Sequence, residues 1–315
     1  MKFLFILISI GKSKLKNRYL LFSLLLILAV RPVSGQEFQQ LMGDYPFATT
    51  LEFESFHSGK IKETKFSFSQ NVMTTKKSRF ALSGRYFELT NSLRGIPNFT
   101  NSQFGVSYRR NLEDKKSIGV SASFGSSSDK PFQDGRDGVI QVNGTYQLNE
   151  NWIILGNYSN NRPFLNNIPL PGFLYTEKHS REESVMLGFP FIYILKPFSD
   201  EIFSFKYVAI LPYNHKIRVL FNKVEWVKPY VGLEQQIAVF FDSERFSDRV
   251  RTFWKERKAV VGLEKSFGPF LKIDFQTGNS FDREYFNALS YARKHSDVRR
   301  IHDGAFVCLS LKSSF

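Results

Sequence analysis

Hydrophobic and polar residues alternate along most of this chain, the pattern of β-strands whose two faces meet different surroundings. From residue 117 to 124, apolar and aromatic side chains occupy the even positions while serine or glycine occupies the odd ones. Residues 139–148 repeat the scheme, and after a turn at 149–151 the segment 152–158 returns as a strand, which predicts a tight hairpin. Because almost no stretch shows the 3.6-residue apolar period of a helix, the sequence predicts an all-β protein.

Fourteen alternating segments can be counted along the chain. They are 48–56, 64–72, 79–89, 103–110, 117–124, 139–148, 152–158, 182–189, 201–211, 215–221, 230–241, 258–266, 270–277 and 305–315. The connections after even-numbered segments are all short, and every long connection, such as 160–181, follows an odd-numbered one. Bacterial outer-membrane barrels have this asymmetry, with an even strand number, short periplasmic turns and longer extracellular loops.

The pattern therefore predicts a single antiparallel transmembrane β-barrel over residues 47–315, with 14 strands. Two connections on the long-loop side are short, at 58–60 and 212–214, so merging or dropping a strand pair would leave 12 strands, and ten is also open. A soluble β-sandwich or propeller is the rival architecture. It fits less well, because a sandwich rarely needs so many strands and the chain lacks a propeller's 40 to 50-residue repeat.

The last predicted strand is amphipathic and ends on an aromatic residue. Val307, Leu309 and Leu311 share one face with the terminal Phe315. This segment resembles the C-terminal signal of bacterial outer-membrane barrels, although Ser313 departs from the apolar residue expected third from the end. The resemblance implies that the barrel-assembly machinery recognises these four apolar residues.

Composition agrees with a membrane barrel more than with a soluble core. Aromatic residues make up 16% of the chain, with 34 Phe and 13 Tyr, and both the lipid-facing surface and the interfacial girdles of a barrel consume aromatic side chains. No stretch reaches the roughly 18 to 20 apolar residues of a membrane-spanning helix.

The N-terminal region has the organisation of a secretory signal peptide. A basic lead precedes a 12-residue apolar run at 19–30, and small residues at Val33 and Gly35 form a cleavage site before Gln36. We expect a cleaved signal at 1–35, then a short periplasmic lead at 36–46. The alternative is a helical anchor, which the short apolar run disfavours.

Charge and cysteine content narrow the function classes. The full chain carries +14, and removing residues 1–35 takes away six of its 43 basic residues and none of its 29 acidic ones, which leaves +8. No nucleic-acid motif accompanies this charge, so we expect no nucleic-acid partner. The positive charge has two interpretations: contact with lipopolysaccharide phosphates, or an ordinary solvated surface. The single cysteine, Cys308, excludes an intramolecular disulfide framework and any multi-cysteine zinc site.

The centre of the chain carries a more specific resemblance. The order LNENWIILGNYSNNRPF, IPLPGFLY, ESVMLGFPF, within residues 148–191, resembles uncharacterised, porin-like outer-membrane barrels grouped as a domain-of-unknown-function family. The resemblance implies the fold and a location in the bacterial outer membrane. That family has no assigned activity, so it supplies no functional residues.

Catalytic and metal chemistry find little support. The five histidines lie in loops or at strand ends without a serine or aspartate companion motif, so we expect no enzymatic activity, no metal and no cofactor. Six charged residues lie on the faces opposite the apolar stripes and are the candidate lumen charges: Lys206, Arg218, Glu234, Glu264, Lys272 and Asp274.

The expected function is a porin-like channel for small polar solutes, because a charged pore wall selects solutes through its field. The alternative is a non-conducting adhesin or structural barrel that acts through its extracellular loops, since charges that pair across the lumen would plug it. The expected partners are outer-membrane lipid, lipopolysaccharide and the barrel-assembly machinery. The sequence leaves the ligand and the oligomeric state open.

Overall fold

The computed structural model describes residues 49–314 except 113–114, 134, 179–182, 225, 269 and 293–297. The predicted signal peptide at 1–35, the lead at 36–46 and the terminal Phe315 lie outside the described residues. In the part of the chain that the structure describes, no helix is long and apolar enough to cross a membrane.

All regular structure in these residues is β-strand. The strands are β1 Thr49–Ser58, β2 Ile61–Thr74, β3 Ser78–Asn91, β4 Phe99–Asn111, β5 Ser117–Ser128, β6 Gly138–Gln147, β7 Trp152–Ser159, β8 Leu170–Lys178, β9 Ser184–Phe189, β10 Phe191–Phe198, β11 Phe203–Ile210, β12 Asn214–Phe221, β13 Lys228–Phe240, β14 Arg251–Phe267, β15 Leu271–Ala288, β16 Arg299–Ile301 and β17 Gly304–Ser314.

The strands form one closed antiparallel barrel. Each strand pairs with its neighbour in sequence, and β1 pairs with both β2 and β17, which closes the sheet. The short β16 and the longer β17 both pair with β15, so they are two segments of one barrel strand interrupted at residues 302–303. The barrel of described residues therefore has 16 strands, and the predicted all-β antiparallel class is confirmed.

The predicted strand number of 14, like the alternative of 12, is wrong because the sequence analysis missed β8 and β10. β8 lies inside the segment 160–181 that was interpreted as a loop, and β10 lies inside a predicted connection. β10 reads FIYILKPF, and a strand that is apolar on both faces does not alternate. Its inward side chains, with those of β7 to β9, pack as an apolar cluster that includes Ile153, Leu174, Met186 and Tyr193.

The outer surface carries an apolar belt. On β5, Ile118, Val120 and Phe124 are 47%, 50% and 65% exposed, while the intervening serines point inward. Exposed apolar residues recur around the barrel: Leu82, Phe104, Val106, Ile140, Val142, Ile154, Phe173, Leu187, Val231, Leu233, Val261, Leu263, Phe275, Val307 and Leu309. An apolar belt around a closed barrel is typical of a surface that contacts lipid.

The two ends of the barrel differ. Thr50 pairs with Ser314, so both ends of the described chain lie at one end of the barrel, together with short turns such as 75–77, 148–151 and 199–202. The longer loops, among them 129–137, 160–169 and 241–250, lie at the opposite end. By the rule for bacterial barrels, the short-turn end is periplasmic and the long-loop end is extracellular.

Candidate functional site

Five of the six candidate lumen charges form one ion-pair network inside the barrel. The guanidinium Nη1 of Arg218 lies 2.8 Å from Asp274 Oδ2, and its Nη2 lies 2.9 Å from Glu234 Oε1. Glu264 lies 4.0 Å from the same guanidinium and accepts Lys272 at 2.9 Å. The sixth, Lys206, is directly opposite Arg218 in the pairing of β11 with β12.

This network is closely packed. Arg218 is 2% exposed, and its guanidinium lies 4.1 Å from the ring centre of Tyr230. The Tyr230 hydroxyl donates a hydrogen bond to Asp274 at 2.5 Å. A buried arginine with carboxylates and an aromatic face around it holds neighbouring strands in a fixed arrangement. These charged side chains therefore form ion pairs with one another on the inner face of the barrel.

A second buried charge cluster lies toward the extracellular end, and the sequence analysis missed it. Lys65 Nζ lies 2.7 Å from Glu54 and 3.5 Å from Glu63, and it donates to Gln236 across the lumen at 3.3 Å. On β14 and β15, Glu256 accepts Lys258 at 3.0 Å and Arg283 at 2.9 Å. The period-two pattern of β1 and β2 places Glu54, Glu63 and Lys65 on the inward face, so the signal for these three was present.

Aromatic rings fill the space around the second cluster. Phe240 of β13 stacks on Phe99 of β4 at 4.6 Å and lies 5.7 Å from Phe87 of β3, which are contacts between opposite walls. Phe56 and Phe306 pack at 5.1 Å, and the ammonium of Lys258 lies 3.8 Å from the Phe56 ring. We call the inward side chains of β1, β2, β12–β15 and β17 the packed half of the barrel.

The opposite side of the lumen is a cavity of about 490 Å³ with one polar wall and with apolar side chains, such as Leu155 and Phe191, on its other sides. Strands β3–β6 form its main wall, which we call the polar wall, and its inward residues are small, hydroxylated, amide-bearing or cationic. They are Arg79, Ser83, Arg85, Gln103, Ser107, Arg109, Ser121, Ser123, Gln141, Asn143 and Thr145. The lining side chains of β4 run from Gln103 to Arg109, about 20 Å at the usual rise per residue.

The closed hydrogen-bonded sheet, the outward apolar belt and the polar interior occur together only in barrels that span a membrane. The chain is an outer-membrane-type β-barrel. Its location is therefore the bacterial outer membrane, and the six charges predicted for its lumen lie on inward faces, mostly paired with one another.

Three loops close the extracellular end of this outer-membrane barrel, and we call 129–137, 160–169 and 241–250 the cap. The backbone N–H of Phe241 donates to Ser127 O at 2.8 Å, where the ends of β5 and β13 meet. Asp129 accepts hydrogen bonds from the backbone N and the hydroxyl of Ser243, at 2.8 and 2.7 Å. Arg245 Nη2 donates to Arg136 O at 2.7 Å. These bonds join loops from opposite sides of the mouth.

The loop 160–169 crosses toward β13 and β14. Asn161 Nδ2 donates to Val239 O at 3.1 Å, and Arg251 Nη2 donates to Asn160 O at 2.9 Å. Burial lowers the pKa of Arg162, whose guanidinium donates to backbone carbonyls of its own loop, among them Phe164 O at 3.0 Å. These hydrogen bonds hold the loop across the barrel mouth in this structure.

The C-terminal strand has the predicted orientation. Val307 and Leu309 are 49% and 37% exposed on the outer belt, whereas Phe306 and Cys308 are buried in the packed half. Leu311 is on the same outward face as Val307, opposite Phe53 in the pairing with β1. The assembly role of this strand stays a prediction. Within the described ranges, no group of three or more His, Cys, Asp or Glu could hold a metal ion.

No family model matches the chain, and no curated protein matches it. Among solved structures, it is similar to a KdgM porin in complex with disordered oligogalacturonate, at 10% identity and TM-score 0.29, covering 84% of this chain and 99% of that one. It is also similar to an outer membrane channel from Pseudomonas putida F1, at 9% identity and TM-score 0.34, covering 91% and 100%. The Pseudomonas putida toluene transporter TodX matches at 9% identity and TM-score 0.35, covering 90% and 95%.

Proposed function

We propose that this barrel is a passive channel for small polar solutes and that the route runs along the polar wall. The observation that supports it is the 490 Å³ cavity lined by hydroxyl, amide and guanidinium groups. A solute that loses water on entering a pore needs replacement hydrogen bonds, and serine, asparagine and glutamine supply both donors and acceptors. The packed half contains a smaller cavity, of about 320 Å³, but charges that line it, such as Lys65 and Glu54, are engaged in ion pairs.

The cap determines when the route is open. Its hydrogen bonds join β5 and β13 and the loops that follow them, so solute entry requires these loops to separate. Loops that cover a binding or transport site commonly open on a scale of microseconds to seconds, while the strands beneath stay in place. The proposed channel is therefore gated at its extracellular end.

Conductance across a planar lipid bilayer tests this function. We expect discrete current steps from the purified, folded barrel, and a folded barrel that gives no steps contradicts the proposal. Ser121→Trp places a large ring in the cavity and should lower the step size. Ala122→Trp, the adjacent residue on the lipid-facing side, is the matched control and should leave it unchanged.

A second candidate function is a non-conducting barrel that binds through its outer loops. The contacts across the lumen and the closed cap favour it, because both reduce free passage. It predicts no current, together with a surface interaction of whole cells that is lost when residues 160–169 are exchanged for a serine and glycine linker. Retained heat-modifiable migration on gels would show that the exchanged protein still folds.

We further propose that the protein acts without catalysis, surrounded by lipid and lipopolysaccharide, and is inserted by the barrel-assembly machinery. Purified protein incubated with phospholipid is then expected to release no fatty acid. Hydrolysis that disappears when one serine or histidine is replaced would contradict this.

A further inference from the structure

We propose that a single-chain amphiphile enters the barrel from the extracellular leaflet of the membrane, through an opening in the barrel wall. This side opening lies between the cap loop 160–169 and the tip of the β9–β10 hairpin. The ligand class and the route both differ from those of the proposed channel. Because the opening faces lipid, polar solutes dissolved in water do not reach it, and it functions whether or not the barrel conducts.

The strands below the opening are too short to cross the membrane. A transmembrane β-strand needs about 9–11 residues. β9 has 6 residues and β10, β11 and β12 have 8 each, whereas β13, β14 and β15 have 13, 17 and 18. With a tilt of about 40°, an eight-residue strand rises about 20 Å, less than the apolar band of about 25 Å. The barrel wall is therefore low at β9–β12.

The missing height lies at the extracellular side. Phe198, Phe203 and Phe221 occupy the periplasmic ends of β10, β11 and β12. Their rings form a row, with the ring centre of Phe203 5.7 Å from that of Phe198 and 5.5 Å from that of Phe221. A row of aromatic rings at strand ends is typical of the girdle at a membrane interface. Since the periplasmic ends are at that interface, the short strands end inside the extracellular leaflet.

The strands on either side extend beyond these short strands. β8 pairs with β9 only from Phe173 onward, so residues 170–172 lie beyond the end of β9. β13 pairs with β12 only as far as Gln235, so residues 236–240 lie beyond the end of β12. Sheet edges inside the hydrocarbon layer are tolerated only where they are covered by protein or line a cavity. The wall therefore has a gap between β8 and β13.

The cap loop 160–169 forms the upper border of this gap. It follows β7, and Asn161 Nδ2 donates to Val239 O on β13 at 3.1 Å, so the loop passes over the strands between them. Phe164 contacts Tyr213 in the β11–β12 turn, with ring centres 5.4 Å apart. The loop thus covers the gap at β11–β12. The lowest part of the wall is at β9, the shortest strand, and this part is the side opening.

The inner surface beside the opening is apolar. Phe191 and Ile210 are directly opposite each other at the tips of β10 and β11, where each lines a cavity, and Ile210 is 47% exposed. Phe191 also packs on the apolar cluster of Ile153, Leu174 and Met186. An exposed apolar surface inside a water-filled lumen is unfavourable, whereas contact with an acyl chain removes it from water.

The larger cavity joins this apolar surface to the polar wall. Leu155, Pro190 and Phe191 line it on one side, and hydroxyl and amide groups such as those of Ser121 and Asn143 line it on the other. A ligand that matches both sides has an apolar chain and a head group that donates and accepts hydrogen bonds. The volume of about 490 Å³ is that of a small-molecule site and suits one acyl chain with a small hydroxylated head group.

Photocrosslinking in lipid vesicles tests the side opening. The probe is a monoacylglycerol with a diazirine near the end of its chain, mixed into phosphatidylcholine vesicles that contain the full barrel. Any lipid labels outward residues such as Ile154 and Ile192, so the informative adducts are those on the inward residues Leu155 and Phe191. Peptide mass spectrometry locates them. We expect inward adducts with this probe, and only outward adducts with a two-chain phosphatidylcholine that carries the same diazirine.

Variants at the hairpin tip test the route. Ile210→Trp should lower the yield of inward adducts about tenfold or more, because the indole occupies the entrance. Ile210→Asn, which makes the entrance polar without filling it, should lower the yield in the same direction. Ile217→Trp, on the outward face of β12 in the neighbouring hairpin, is the matched control and should leave the yield unchanged. Heat-modifiable migration checks that each variant is folded.

The outcomes separate the side opening from the channel. Inward adducts that decrease in the Ile210 variants and not in Ile217→Trp support the opening. Only outward adducts in the wild type, an inward yield that neither Ile210 variant changes, or equal inward labelling by the two-chain lipid would overturn it. Inward adducts in a barrel that conducts no current support the opening and reject the channel, whereas current without inward adducts does the reverse.

Discussion

Arg218 contacts several side chains of the packed half, and a single substitution can remove each contact separately. Its guanidinium binds Asp274 and Glu234, lies within 4.0 Å of Glu264 and covers the ring of Tyr230. Burying an ion pair gives little net stability, but removing one partner leaves the other charge buried without compensation. The network therefore makes the barrel interior sensitive to single substitutions.

Arg218→Ala is expected to destabilise the folded barrel by about 3–5 kcal/mol, because it leaves Asp274 without its buried cation and Glu234 with Lys216 alone. Unfolding by urea in lipid vesicles measures this difference.

The double variant Arg218→Ala with Asp274→Asn removes one of the stranded charges and should recover part of the loss. Arg110→Ala, at an exposed position, is the control and should change stability by less than about 1 kcal/mol. An equal loss in Arg110→Ala would show that the effect is unrelated to burial.

At the residue scale, sequence reasoning found which charges face inward but not what they contact. Period two gave the inward positions of Lys206, Arg218 and Asp274, because strand geometry fixes side-chain direction. Pairing across the lumen, such as that of Lys65 with Gln236, depends on which distant strands face each other. Which strands face each other is set by the closed shape of the sheet, and a local sequence pattern carries no information about that shape.

At the element scale, the strands with one polar face were predictable and those with two apolar faces were not. β5 and β6 alternate cleanly because one face meets lipid and the other meets a polar cavity. β10 does not alternate between polar and apolar residues, because its inward residues join the apolar cluster of Ile153 and Met186. Pro171 and Gly172 weakened the signal of β8, since proline and glycine are uncommon inside strands.

The two added strands reverse the direction of β9, and labelling can test this. Glu183 precedes β9 and lies between β8 and β9, which is the periplasmic end in a 16-strand barrel. In a 14-strand barrel the same residue would be extracellular. Glu183→Cys is therefore expected to react with a membrane-impermeant maleimide only after the outer membrane is permeabilised.

A cysteine at Asn167, in the cap loop 160–169, is the control and should react on intact cells. Labelling of Glu183→Cys on intact cells would contradict the 16-strand topology. The native Cys308 is buried and should contribute little background.

The C-terminal strand is a further element whose predicted role, in assembly, can be tested. Val307 and Leu309 present an apolar face outward beside β1, the arrangement expected of an assembly signal that ends on Phe315. Deleting Phe315 should lower insertion into the outer membrane more than it lowers synthesis. Comparing heat-modifiable barrel with total protein on immunoblots measures this ratio, and an unchanged ratio contradicts the assembly role. Val72→Ala, an exposed residue near the periplasmic end of β2, provides the control substitution.

At the scale of the whole molecule, the cap joins opposite walls of the barrel. Sequence analysis predicted the cap loops as long connections on one side but not the bonds between them. Asp129 and Ser243 are 114 positions apart, and their contact depends on the barrel's closure. The proposed channel function depends on whether these bonds break.

Asp129→Ala removes both acceptor contacts to Ser243 and should increase the fraction of time that the channel is open. Single-channel recording in planar bilayers measures that fraction. Asp200→Ala, in the periplasmic turn between β10 and β11, is the control and should leave it unaltered. An identical open fraction in the wild type and Asp129→Ala would show that the cap is not a gate.

The division of the interior into a packed half and a polar wall has a consequence for how the protein can change. Ion pairs hold the strands of the packed half together, and Phe87 and Phe99 at the extracellular ends of β3 and β4 stack on its Phe240. The rest of the polar wall takes little part in these contacts among the described residues. Substitutions on the polar wall can then alter what the cavity accepts at little cost in folding. The solute preference of the proposed channel can then change through four strands, while the remaining strands preserve the architecture.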